Sequence, residues 1–190
     1  MSEHIFAAIL AGGSGSRMGT VDRPKQFLDY TGREVSFIKQ TFERFSKIVP
    51  EENILVVTED KYRDLALKWL PGLKEENLLL EPYTRGTAPC IAFATYTILK
   101  RDPDATMVVT PADHIISNEE LFRQTILSAM EHASTHKALM TIGVVPDHPD
   151  TGFGYIQIAG GKKNNTIPMK VKTFTEKPDA ELAAVFCRSG

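Results

Sequence analysis

Three glycines and two cations are the first residues of this chain that could do chemistry. The run Ile9-Leu10-Ala11-Gly12-Gly13-Ser14-Gly15-Ser16-Arg17-Met18-Gly19 leads on to Pro24-Lys25-Gln26. Glycine lets a backbone bend sharply and bring its N–H groups against an anion with no Cβ in the way. Arg17 offers a planar fork for phosphate oxygens, and Lys25 a compact positive charge. The set reads as a grip for a polyphosphate; the plain alternative is a strand-to-loop turn that needs only flexibility. A dinucleotide fingerprint wants a third glycine where Met18 stands, and no acid follows in the right strand context to take a ribose. A P-loop ends in Gly-Lys-Ser or Gly-Lys-Thr, and neither tripeptide occurs in the chain.

Four more segments could meet that grip. Asp113 follows an apolar run, which places its carboxylate at the carboxyl end of a strand. Mg²⁺ wants one or two carboxylates plus phosphate oxygens and waters, so one acid facing a phosphate turn meets half that need. An Asx turn is the structural alternative, and His114 beside it reads as a hydrogen-bonded structural histidine. Glu81-Pro82-Tyr83-Thr84-Arg85-Gly86-Thr87-Ala88-Pro89 joins a strand to a helix whose free N–H donors suit a base edge or a phosphate. It could equally be a connection stiffened by its prolines. In Thr151-Gly152-Phe153-Gly154-Tyr155, two glycines flank an aromatic, which suits close approach to a ligand or a strand bulge. Phe174-Thr175-Glu176-Lys177-Pro178 puts an acid beside a base near a strand end, where a solvated surface pair is the ordinary reading.

These segments need elements to hold them. Strand-like apolar runs recur at Ile5–Leu10, Ile54–Thr58, Leu78–Leu80, Met107–Thr110 and Leu139–Val145. Phe37, Ile38, Thr41, Phe42, Phe45 and Ile48 mark one face of a helix beginning near Val35. Thr87 is the expected N-cap of a second helix, with Ile91, Ala94, Thr95 and Ile98 facing inward. Ser117 to Glu120 has capping-box spacing for a third, continued by Leu121, Phe122, Thr125, Ile126, Ala129 and Met130. Strands alternating with helices imply an α/β fold: a mostly parallel sheet with helices on both faces. Ligands on such sheets collect at the carboxyl ends of strands, where the Gly12 turn and Asp113 fall. After about Gly152 the pattern becomes two short strands, Tyr155–Ile158 and Lys170–Phe174, around a Gly160–Asn165 turn. One domain over residues 1–190 is expected, with 151–190 a hairpin-like extension within it.

The bulk numbers narrow the function. The chain has 190 residues, a net charge of −2 and 42% apolar residues, which argues against a nucleic-acid or anionic-membrane binder. Any anion site must be built locally. No apolar stretch reaches membrane-spanning length, and the N-terminus lacks a signal layout. Cys90 and Cys187 form no metal or redox spacing, so a cytoplasmic location is expected. Cys90 reads as core packing.

Taken together, the five segments resemble the nucleotidyltransferase domain of the mannose-1-phosphate guanylyltransferases (GDP-mannose pyrophosphorylases). The resemblance rests on Ala11–Met18 with Pro24-Lys25-Gln26, Glu81 to Arg85 with Thr87-Ala88-Pro89, Pro111–Ile116, Thr151–Ile156 and Phe174–Pro178, in the family's order. It implies a Rossmann-like three-layer nucleotide-diphospho-sugar transferase fold. It also implies transfer of GMP from GTP to mannose 1-phosphate, giving GDP-mannose and pyrophosphate. By this similarity Gly12, Gly13, Ser14, Gly15 and Arg17 would hold the triphosphate, Lys25 would neutralise the α-phosphate region, and Asp113 would bind Mg²⁺. Arg17, Lys25 and Asp113 would then be the catalytic groups. Glu81, Thr87 and Ala88 belong to the loop that would choose the guanine. Gly154, Glu176 and Lys177 would face the sugar phosphate.

Two departures qualify the match. Gly86 stands where the family usually has Asn, and relatives continue past Gly190 with more sheet and a second metal-binding acid. A partial domain is therefore expected, with weak nucleotide binding and poor turnover. The competing functions are a cytidylyltransferase of the isoprenoid-pathway type, which shares the glycine turn and Pro-Lys-Gln, and a non-catalytic nucleotide-sugar binding domain. A homodimer is compatible with the sequence.

Overall fold

In a computed structural model the protein is described over residues 4–13, 24–29, 32, 35–83, 85–159 and 168–189. It divides into two compact units, Met1–Arg123 and Gln124–Gly190. The site residues Ser14, Gly15 and Arg17 lie outside the described residues, as does the Gly160–Asn165 turn.

The first unit is built on β1 (Ile5–Leu10), β2 (Ile54–Glu59), β3 (Leu78–Glu81) and β4 (Thr106–Pro111), in the order β3-β2-β1-β4. All three pairings are parallel. Ile54, Leu55, Val56 and Val57 are all fully buried, the mark of a strand covered on both faces. One face carries Phe6, Ala8, Leu55, Val57 and Leu79 against Cys90, Ala94 and Ile98 of α3 (Thr87–Arg101). Successive side chains alternate across a strand, so Ala7, Ile9, Ile54 and Val56 point to the other face. There α1 (Phe37–Ser46) packs on β1 and β2 with Phe37, Ile38, Phe42 and Phe45 buried. It starts where Ser36 Oγ accepts the Lys39 N–H at 3.4 Å. A short α2 (Arg63–Trp69), which the sequence pattern did not signal, buries Ala66.

The expected parallel sheet and three helices are present, with corrections at the helix starts and at one strand. The N-cap of α3 is Gly86, with φ +90°, and Thr87 is its first helical residue. At α4 (Glu119–His136) the cap is Asn118, whose Oδ1 accepts the Leu121 N–H at 3.0 Å, and not Ser117. The run Leu139–Val145 forms no strand: Leu139 and Val144 stand fully or mostly exposed. A strand needs a neighbour for its N–H and C=O groups, and this run pairs with none among the described residues.

In the second unit, β5 (Gly154–Ile158) and β6 (Val171–Glu176) form an antiparallel pair with Gly154 opposite Glu176. Asp179 Oδ1 accepts the Leu182 N–H at 2.8 Å and so caps α5 (Ala180–Ser189). The Tyr155 ring lies 5.3 Å from that of Phe186, which ties β5 to α5. Among the described residues no helix is long and apolar enough to cross a membrane.

Candidate active site

The carboxyl ends of β1 and β4 lie side by side, with Leu10 in register with Pro111. The ladder runs one residue past both strands: the Ala11 N–H donates to Val57 O at 2.8 Å and the Ala112 N–H to Leu10 O at 3.0 Å. Beyond those anchors the backbone turns away at Gly12 on one side and at Asp113 on the other. Gly13 has φ +113°, a region glycine enters at no steric cost.

Three buried polar side chains fix these exits. Gln26 Nε2 donates to Ala11 O at 2.7 Å and to Gly13 O at 3.4 Å. Thr58 Oγ1 donates to the same Ala11 carbonyl at 2.9 Å, and Thr41 Oγ1 to Ala112 O at 3.1 Å. Gln26 sits in a 3-10 turn over Lys25–Phe27 that Pro24 opens. Buried polar groups of this kind must be satisfied, so their geometry is tightly determined. Sequence reasoning picked out none of the three for this role. The available signal was a glutamine wedged between Lys25 and the apolar Phe27.

The turn that buries Gln26 delivers Lys25. Its Nζ lies 3.1 Å from Asp113 Oδ2, both side chains about one-third exposed, and 5.8 Å from the Phe37 ring centroid. The glycine turn, Lys25 and Asp113 thus meet at one end of the sheet. Glu81 reaches the same end from β3. It is 5% exposed, and its Oε2 would lie 3.5 Å from a Cβ built on Gly12. Cys90 Sγ donates to that oxygen at 2.8 Å. Burial, reinforced by the Glu81 carboxylate, pushes the Cys90 thiol up to about 12. Thr87 and Ala88 are exposed in the first turn of α3, where backbone N–H groups have no intrahelical acceptor.

Gly154, Glu176 and Lys177 come together within the second unit. A Cβ on Gly154 would stand 2.5 Å from Phe174 Cζ and 2.8 Å from Glu176 Oε2, so any larger residue would have to push that ring and carboxylate aside. Lys177 Nζ meets Glu176 Oε1 at 2.6 Å, and its N–H donates to Phe153 O at 3.1 Å. Lys177 itself sits at φ +45°, uncommon for a residue with a side chain. A further tie went unforeseen. Tyr155 Oη accepts the Asp150 N–H at 3.0 Å and donates to Asp150 O at 3.1 Å, folding the glycine-bearing loop back on β5.

A nucleotidyl transferase family model matches residues 6–190. The chain belongs to the nucleotidyl transferase family. It is 36% identical to the mannose-1-phosphate guanylyltransferase of Escherichia coli, a match over 98% of this chain and 40% of that protein. It is 38% identical to the mannose-1-phosphate guanylyltransferase ManC of Salmonella typhimurium, with the same two coverages. The chain therefore spans about 40% of the length of these curated relatives. Among solved structures, one described as a mannose-1-phosphate geranyltransferase from Thermus thermophilus superposes with a TM-score of 0.85 at 29% identity. That superposition covers 98% of this chain and 54% of the other. The fold is the Rossmann-like α/β fold of nucleotide-sugar transferases.

Among the described residues no group of three or more His, Cys, Asp or Glu could by itself hold a metal ion. Asp113 fits the requirement of Mg²⁺, which takes one or two carboxylates and draws its other ligands from phosphates and water. Its carboxylate is partly exposed and already held beside a cation.

Proposed function

We propose that the protein takes part in transfer of GMP from GTP to mannose 1-phosphate, giving GDP-mannose and pyrophosphate. The observation that carries this reading is the meeting of Lys25 and Asp113, 3.1 Å apart, beside the Gly12–Gly13 turn. The similarity to guanylyltransferases supports the choice of nucleotide and sugar.

In this reading the backbone of Gly12 and Gly13, with Ser14, Gly15 and Arg17, holds the triphosphate. Lys25 offsets charge near the α-phosphate. Asp113 would hold Mg²⁺, which when bound supplies Lewis-acid polarisation of phosphoryl oxygens. The oxygen of the sugar phosphate attacks the α-phosphorus in line. A phosphate dianion is already a nucleophile, so no side-chain base is required. The protein's task is to align the anions and stabilise charge on the departing pyrophosphate. Glu81, Thr87 and Ala88 face the base, and Gly154, Glu176 and Lys177 the sugar phosphate, with Lys177 on its phosphate and Glu176 on a hydroxyl. The reading includes a cytoplasmic location, supported by two free thiols, and no nucleic-acid or membrane partner, supported by the net charge of −2.

Calorimetric titration with GTP and with CTP, each with and without Mg²⁺, tests the proposal. GTP binds in preference to CTP and more tightly with Mg²⁺, and Asp113→Asn removes the Mg²⁺ dependence while keeping the fold. Equal or tighter binding of CTP, or no binding of GTP at all, would overturn it.

A further inference from the structure

Glu81 is a carboxylate only 5% exposed and held from one side. Among the described residues it has no cation within ion-pair distance, and its hydrogen-bond partner is the Cys90 thiol. A carboxylate offers about four acceptor positions, and a thiol is a weak donor that can fill one of them. The remaining positions are open to donors of a bound ligand. Because Oε2 lies against Gly12, that ligand sits at the floor of the glycine turn.

A purine with a ring N–H next to an exocyclic amino group presents two donors side by side, at the spacing of two carboxylate oxygens. Adenine offers a lone pair at the same ring position, which a carboxylate repels. On this account Glu81 discriminates only if its plane is fixed, and the group that fixes it is on α3. We propose that Cys90 is a positioning residue for base selection: its thiol holds Glu81 Oε2 so that the carboxylate faces the two-donor edge of a guanine. The inference rests on the reading of the site as a guanine-nucleotide site and adds a residue to it. Cys90 keeps its proton far above neutral pH, so the donor persists across any working range. It is 5% exposed and does not itself touch the base.

The test is the ratio of affinities for GTP, inosine triphosphate and ATP in the intact chain and in Glu81→Gln, Cys90→Val, Cys90→Ala and Cys90→Ser. A ratio cancels any general loss of folded protein. Glu81→Gln abolishes the preference for GTP over ATP. Cys90→Val and Cys90→Ala lower that preference by about 2- to 10-fold, the worth of one hydrogen bond. Cys90→Ser, which keeps a donor, restores it to within about 2-fold on the same scale. The preference for GTP over inosine triphosphate, which lacks the amino group, falls in parallel. Wild-type ratios in Cys90→Ala and Cys90→Val, or an equal loss in Cys90→Ser, would show that Cys90 merely packs, while leaving the guanine site standing. Equal binding of GTP and ATP by the unaltered chain would bring down both.

Discussion

Replacing Lys25 by methionine separates a structural ion pair from a substrate contact. Methionine keeps an unbranched chain against the Phe37 ring, where Nζ now lies 5.8 Å from the centroid, and removes only the charge. At the observed 3.1 Å, two unit charges attract by about 1.3 kcal/mol in a water-like dielectric. Both side chains are about one-third exposed, so solvent screening and side-chain entropy reduce the net worth to about 0.2–1 kcal/mol. For a chain of this size that is a fall in melting temperature of no more than about 4 °C. A charged hydrogen bond to a phosphate is worth about 1.5–3 kcal/mol, which is roughly 10- to 150-fold in affinity. Lys25→Met should therefore melt almost normally yet bind GTP at least about tenfold more weakly by calorimetric titration. Affinity within about threefold of the unaltered chain, with the fold intact, would show that Lys25 serves Asp113 alone and would refute the phosphate assignment.

Two other expectations follow from local geometry. Alanine at Gly12 meets Glu81 Oε2 at an ordinary 3.5 Å and should leave thermal stability nearly unchanged. Alanine at Gly13 must adopt φ +113° and should cost about 1–3 kcal/mol, while alanine at Gly154 would stand 2.5 Å from Phe174 Cζ, displace Glu176 and weaken mannose 1-phosphate binding but not GTP binding. Differential scanning calorimetry and paired titrations rank the three, and equal effects would contradict the geometry. The Cys90 thiol, raised from 9.0 to about 12, ionises more readily in the unfolded chain than in the folded one. Its contribution to stability is complete below pH 9 and is lost as pH rises toward about 12. Cys90 should therefore resist aromatic disulfide reagents in native protein at pH 9, and its rapid modification there would contradict its burial.

Much of the first unit was legible because its signals are local. Four apolar runs mark β1 to β4, and the residues leaving β1 and β4 are the ones whose chemistry stands out. What remained hidden is non-local. Gln26 reaches a carbonyl 15 residues away and Thr58 the same carbonyl from 47 residues away, contacts that no periodicity encodes. Glu81 reads as one acid in a loop, and only the folded chain reveals that it is buried against Gly12. Leu139–Val145 has the composition of a strand and no ladder partner, because a strand is a relation between two segments and not a property of one. The caps of α3 and α4 slipped by a residue for a similar reason. Gly86 and Thr87, or Ser117 and Asn118, are all acceptable there, and backbone direction decides between them.

The pairing of Leu10 with Pro111 also sets which edits the molecule can survive as a working protein. Deleting one residue inside β4 would drag Asp113 back by about 3.3 Å and swing it to the far side of the pleat. The apolar layers could re-form while the acid and the lysine parted company. Inserting residues where α3 runs into β4 would leave that alignment alone. Descendants of this chain are thus free to lengthen such connections, while the two adjacent strands must keep their length together.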